Sequence, residues 1–405
     1  MDEAAVPVKR DLAVLYAAVL ASRVGFGIII IIFPTYIKGT LACSTVTSCD
    51  VQIAGTLALY PLLEAAAAIP IGMFVDSHGR KWMFIGSLGY IAVLMGSIGF
   101  TKSIYAIATI HAMMGIGAAG VTVATLTMVT DLTGMGNRGK GMGAFDFSNV
   151  GGYAIGLVLG SIMASVFAGD LSAAFFAGGA VIGAAFLVGL LVLKEPLHLK
   201  SYRQPSLNPL YSLDAYTKSI LPIWVGVTVL LGMVFFLPTA LGSLNVGFGQ
   251  TAEIFVVALV ILGLGAIGFG AVSDIVGRGK VLLVGIIGLS GLLVWLLLFA
   301  GERLGAIFSL SPLHLATLGI LAIMTSALVP TILATVGDRA IFEGRGSAMG
   351  LYSVMLGGGT AVGTLVAGVA HRRSGLTGIY EAGIILFMTA CLLSLALQLW
   401  VRSKR

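Results

Sequence analysis

Twelve apolar runs follow one another along the 405-residue chain, each long enough to cross a hydrocarbon core that takes roughly 20 residues of helix. They lie near 12–37, 52–75, 82–101, 103–130, 141–168 and 172–194, then 218–244, 251–273, 280–300, 313–336, 346–370 and 376–401. A span in lipid has to satisfy its own backbone hydrogen bonds, and a helix does so. The chain therefore reads as an all-α integral membrane protein of 12 transmembrane helices. Residues 195–217 are polar, carry Pro196, Pro205 and Pro209, and read as a linker between 1–194 and 218–405. The first run is too long for a cleavable signal core and reads as the first helix. Charged residues make up only 10% of the chain, against about 25% in soluble domains.

The formal charge of +6 does not point to nucleic acid, because the basic residues are sorted by side. With the N-terminus cytoplasmic, 17 Lys and Arg fall in inner segments and 5 in outer ones (Lys38, Lys102, Arg303, Arg372 and Arg373), with Arg23 inside the first span. This bias places both termini in the cytoplasm of a plasma-membrane protein.

One short pattern occurs twice in matching turns. Gly72, Asp76, Gly79 and Arg80 follow the spacing Gly-x-x-x-Asp-x-x-Gly-Arg, and Gly270, Asp274, Gly277 and Arg278 repeat it after the eighth span. A second repeat runs from Asp131 through Arg138, Gly139, Met142 and Gly143, and again from Asp338 through Arg345, Gly346, Met349 and Gly350. Gly79 and Gly277 permit a sharp turn. The arginines beside them can donate paired hydrogen bonds to a carboxylate, and Asp131 and Asp338 are the natural acceptors. The plain alternative is a set of solvated charges that only set topology.

These motifs resemble the major facilitator superfamily over essentially the whole chain, and among its members the 12-helix proton-coupled drug and metabolite antiporters. The resemblance implies two pseudo-symmetric six-helix bundles with a substrate site near the midplane between them. It implies that Asp76 faces the start of helix 11, that Asp274 faces helix 5, and that Arg80–Asp131 and Arg278–Asp338 pair as a cytoplasmic latch. It also implies a monomer in the bilayer that handles a small-molecule substrate.

Four ionisable residues sit inside spans: Arg23, Glu64, His111 and Asp146. A charge at mid-bilayer costs at least about 2.5–3.5 kcal/mol, so each should face a cavity or a partner. At about 1.5 Å of rise per residue, Arg23, Glu64 and His111 fall in the central third and Asp146 lies shallower, as a neighbour of the latch. Arg23 and Glu64 read as a coupling pair for protons, or else as a structural ion pair. Helix 4 carries His111 and Gly115 where the antiporter pattern has Arg-x-x-x-Gly. Helix 5 carries Gly152, Gly156 and Gly160, similar to the drug-export motif without its proline; small residues at this spacing also pack helices.

There is no Walker loop, no Cys/His metal cluster and no strand-led glycine motif for a dinucleotide, so neither cofactor nor metal is expected, and the chain does not read as an enzyme. Cys43 and Cys49, in the first outer loop, are placed for a disulfide in an oxidising exterior. The leading functional expectation is proton-coupled export of an apolar or amphipathic compound by alternating access. Uptake of a small organic acid or sugar comes second, with Arg23 holding a carboxylate. A lipid flippase or a non-transporting sensor is the remaining class.

Overall fold

A computed structural model of the protein describes residues 5–41, 49–133, 138–167, 170–195, 215–339 and 345–403. The described elements are helical: α1 (Ala5–Ile30), α2 (Phe33–Thr40), α3 (Asp50–His78), α4 (Arg80–Ile98), α5 (Ile104–Leu132), α6 (Arg138–Val166) and α7 (Ser172–Val192). The second half holds α8 (Ala215–Ser243), α9 (Phe248–Val276), α10 (Arg278–Trp295), a π turn and a 3-10 stretch over 296–309, α11 (Pro312–Thr325), α12 (Leu328–Arg339) and α13 (Arg345–Ser403).

Two expected spans are broken, and proline explains both. Its ring clashes with the carbonyl four residues earlier. Pro34 therefore ends α1 at Ile30, and Pro330 falls four residues after Ser326, where α11 has stopped. Conversely, the chain from Arg345 to Ser403 runs on as one element although Ser374 and Gly375 leave helical geometry, Gly375 at φ 61°. At about 1.5 Å per residue its 53-residue apolar stretch is far too long for one crossing, so this kink separates two limbs. With it divided, the 11 apolar stretches found among the described residues accommodate the expected order of spans.

Contacts divide the chain into two compact units. The first comprises 1–40, 59–210 and 341–357; the second comprises 41–58, 211–340 and 358–405. In the first, α1 packs on α6 and α7, and α4 on α5 and α7. Helix α5 is its core: every residue from Gly117 to Thr130 is buried. In the second, α10 packs on α11 and α12, and α9 flanks them. The most apolar window of α9 has no buried residue, and Leu191 and Ile275 are more than 80% exposed. Such surfaces are a liability in water and are matched to lipid.

Ahead of α7, Asp170 accepts the Ser172 N–H at 3.0 Å, and these Ser172 hydrogen bonds hold its carboxyl below the usual range. Cys49, just before α3, is disulfide-bonded; its expected partner, Cys43, lies outside the described residues. Intact-mass measurement without reductant is expected to give a chain lighter by two hydrogens than the reduced form. Alkylation of both cysteines without reductant would overturn the bridge.

Candidate functional site

The centre of the first unit is assembled by glycines. On α6, Gly152, Gly156 and Gly160 rest on the backbone of α1, so that a Cβ at any of them would collide with the carbonyl of Leu20, Val24 or Ile28. The helix 5 glycine pattern is thus a packing stripe along this contact. It sets Arg23 of α1 opposite Asn149 and Tyr153, which continue the same face of α6. Gly115 of α5 does the same against Tyr60 and Glu64 of α3, where an added Cβ would meet their backbone.

Arg23 is 8% exposed and Glu64 7%, but they do not form an ion pair. Arg23 Nε donates to Asn149 Oδ1 at 2.7 Å, and its Nη1 lies 3.5 Å from the Tyr153 hydroxyl. The Asn149 amide is oriented by donating in turn to the Phe145 carbonyl at 3.1 Å. The guanidinium also lies over the rings of Tyr153 and Phe26, at 5.7 and 5.9 Å. Every one of these contact partners is neutral, and Glu64 acts on the Arg23 charge only from beyond ion-pair distance.

Glu64 Oε1 accepts from Ser353 of α13 at 3.3 Å and from Thr122 of α5 at 3.4 Å. A hydroxyl can donate to a carboxylate or accept from a carboxylic acid, so both contacts suit either protonation state. His111 is buried in an aromatic setting, stacked on Tyr60 at 5.3 Å and tilted against Phe33 at 4.5 Å. Tyr60 lies within electrostatic reach of both Glu64 and Arg23. Half-buried Asp146 neighbours Tyr352, which also feels Glu64 and Arg23, so it borders this cluster.

Each repeated turn joins two helices of its own unit, α3 to α4 in the first and α9 to α10 in the second. Gly79 and Gly277 have φ of 104° and 103°, a backbone open to glycine and strained for other residues. Gly72 is buried and Asp76 half-buried in α3; Gly270 is half-buried in α9. Arg80 Nε donates to Asp131 Oδ2 at 3.1 Å, with side chains 14% and 6% exposed. Arg278 pairs with Asp274 at 2.6 Å and also donates to Ser273. The side chain of Asp338 lies outside the described residues.

Glu195, at the head of the linker, is a residue that sequence reading passes over. The Arg80 and Lys81 amides donate to its two carboxylate oxygens at 2.7 and 2.9 Å, a favourable place for a negative charge at a helix start. The two turns differ here: an added Cβ at Gly79 would come 3.1 Å from Glu195, while at Gly277 it would meet nothing within 4 Å. Asn149, Tyr153 and Ser353 were passed over as well. For the first two a signal existed, since each lies three residues before a glycine of the stripe and so shares its face of α6.

A family model described as Major Facilitator Superfamily matches residues 15–269. The chain is 26% identical over 187 residues to Multidrug resistance protein MdtG of Proteus mirabilis, 46% of each chain. It is 28% identical over 178 residues to Tetracycline resistance protein, class G, of Vibrio anguillarum, 43% of this chain and 42% of that one. These matches span about half the length of the curated relatives. Among solved structures, the human organic anion transporter MFSD10 (TETRAN) superposes with a TM-score of 0.74 at 17% identity, covering 96% of this chain and 99% of that one.

Proposed function

The chain belongs to the major facilitator superfamily, a family of transporters and not of enzymes, and on that premise we propose that it is a proton-coupled exporter of apolar or amphipathic compounds. It works as a monomer in the plasma membrane with both termini in the cytoplasm. The matches to multidrug and tetracycline resistance proteins support export. The observation that carries the coupling is the setting of Glu64: 7% exposed, with no cation in contact and two hydroxyls that serve the acid and its anion alike. Burial favours the neutral acid, and approach of Arg23 would favour the ion. Movement that alternates these two influences loads and releases a proton. His111, Tyr60 and Phe33 supply an aromatic wall for the substrate, and the Arg80–Asp131 contact acts as a latch on the cytoplasmic side.

Arg23 favours a second reading, uptake of a small organic acid, because its hydrogen-bond partners are neutral and it forms no ion pair with Glu64, which leaves its charge for a carboxylate. Proteoliposomes loaded with a pH indicator separate the two. Under export, tetracycline or a lipophilic dye is expected to drive proton movement, and a panel of small carboxylates to drive none. Response to carboxylates alone would transfer the site to acid uptake. Silence with every compound would overturn coupling.

A further inference from the structure

Outside the central cluster, the second unit buries two ionisable residues, one of them at the start of α3. Asp50 opens α3, and His371 lies near the end of the first limb of α13. Both side chains are 2% exposed, and His371 Nδ1 lies 2.7 Å from Asp50 Oδ2. The approach is built: one turn before His371, a Cβ on Gly368 would collide with Ala54 and come within 3.1 Å of the Asp50 carbonyl. From α8, Phe236 packs its ring 5.8 Å from the imidazole, and Ser243 Oγ lies 3.3 Å from Nε2.

The hydrogen bonds bear on the protons of this pair. Ser243 has one hydroxyl hydrogen, and its 2.6 Å contact to the Ala240 carbonyl uses it. Toward His371 the serine therefore offers a lone pair, which suits a hydrogen on Nε2. The 2.7 Å contact at Nδ1 requires another hydrogen between ring and carboxylate. With hydrogens on both Nε2 and Nδ1, the pair holds one proton more than a neutral imidazole beside an ionised aspartate.

We propose that Asp50 and His371 form a second proton-binding site, which fastens the ends of α3, α8 and the first limb of α13 while it is loaded and loosens them when it empties. Loss of the proton leaves a net negative charge in a buried place, which is unfavourable without a partner. The start of α3 keeps some favour for the Asp50 carboxylate, so the histidine contact is the one that weakens. Other described ionisable groups toward this end are Arg372, Arg373, Glu381 and Tyr380 on α13, Glu253 on α9, Arg303, and His314 on α11. None of the arginines, glutamates and His314 among them makes a described ion pair or hydrogen bond with Asp50 or His371. The inference does not rest on Glu64 carrying the transported proton.

The test is a pH titration of the full-length protein in nanodiscs, read by nitrogen-15 histidine NMR and by amide exchange over 50–58 and 366–373. The chain has 5 histidines, and the His371→Gln variant identifies the signal. In the wild type, His371 is expected to carry both protons at neutral pH and to lose one in a single step. At that step exchange in the two segments speeds on the order of a hundredfold, the scale for losing one partner of a buried pair. His371→Gln should exchange fast at every pH, and Glu64→Gln should keep the wild-type step. A ring that is singly protonated throughout would overturn the proposal, and so would one doubly protonated wherever the protein stays folded. An exchange step that persists in His371→Gln, or one that disappears in Glu64→Gln, would do the same.

Discussion

Glu64→Gln is expected to bind substrate and fail to concentrate it. One pH unit corresponds to about 1.4 kcal/mol, or about tenfold in concentration for one-to-one exchange. Wild-type vesicles under a one-unit gradient should therefore approach a tenfold substrate ratio, and Glu64→Gln vesicles should stay near unity. Glutamine keeps the acceptor oxygen that Thr122 and Ser353 address, so packing around it is little disturbed and substrate exchange without a gradient should survive. That split between binding and accumulation separates a proton carrier from a structural residue. Accumulation at the wild-type level by Glu64→Gln would remove Glu64 from the mechanism and bring His111 forward.

Arg80→Ala is expected to lower stability and to unfasten one end of the first unit. Exposed ion pairs contribute about 0–1 kcal/mol, whereas stripping one partner from a buried pair costs about 3–5 kcal/mol. With Arg80 and Asp131 at 14% and 6% exposure, the pair sits nearer the buried case, and a loss of about 2–3 kcal/mol is expected. A fall in Tm on the order of 5 °C would accompany it. The Glu195 clamp uses the Arg80 and Lys81 amides and survives the substitution, so the effect isolates the side chain. A double-mutant cycle with Asp131→Ala should show strong coupling. Spin labels in the loops at this end should report altered distances; distributions unchanged from wild type would reduce Arg80 to a topology signal.

Legibility in the sequence followed the kind of signal each feature leaves. Spans are legible because lipid imposes a minimum apolar length, and the contact of Arg80 with Asp131 is legible because its motif occurs twice. Helix breaks are less so. Pro34 and Pro330 end helices, yet Pro61, Pro70, Pro222 and Pro238 lie within continuous ones, and only tertiary packing separates the two cases. Arg23 and Glu64 share a depth in the sequence, but the glycine contacts send Arg23 toward α6 and leave Glu64 to hydroxyls from α5 and α13. Asp50 and His371 escape notice because each falls just past a span boundary, where a charge needs no explanation. Their pairing depends on 321 residues of separation being closed by the fold.

The glycine stripe of α6 has a mechanical consequence. Backbone lies on backbone at Gly152, Gly156 and Gly160, with no side chain between to slide or change rotamer. Helices α1 and α6 thus form one stiff beam, and Arg23, Asn149 and Tyr153 ride on it at fixed separations. Glu64 belongs to another beam, α3 joined to α5 at Gly115. A helix movement that brings the carboxylate toward the guanidinium therefore turns one beam against the other, rather than sliding α1 along α6.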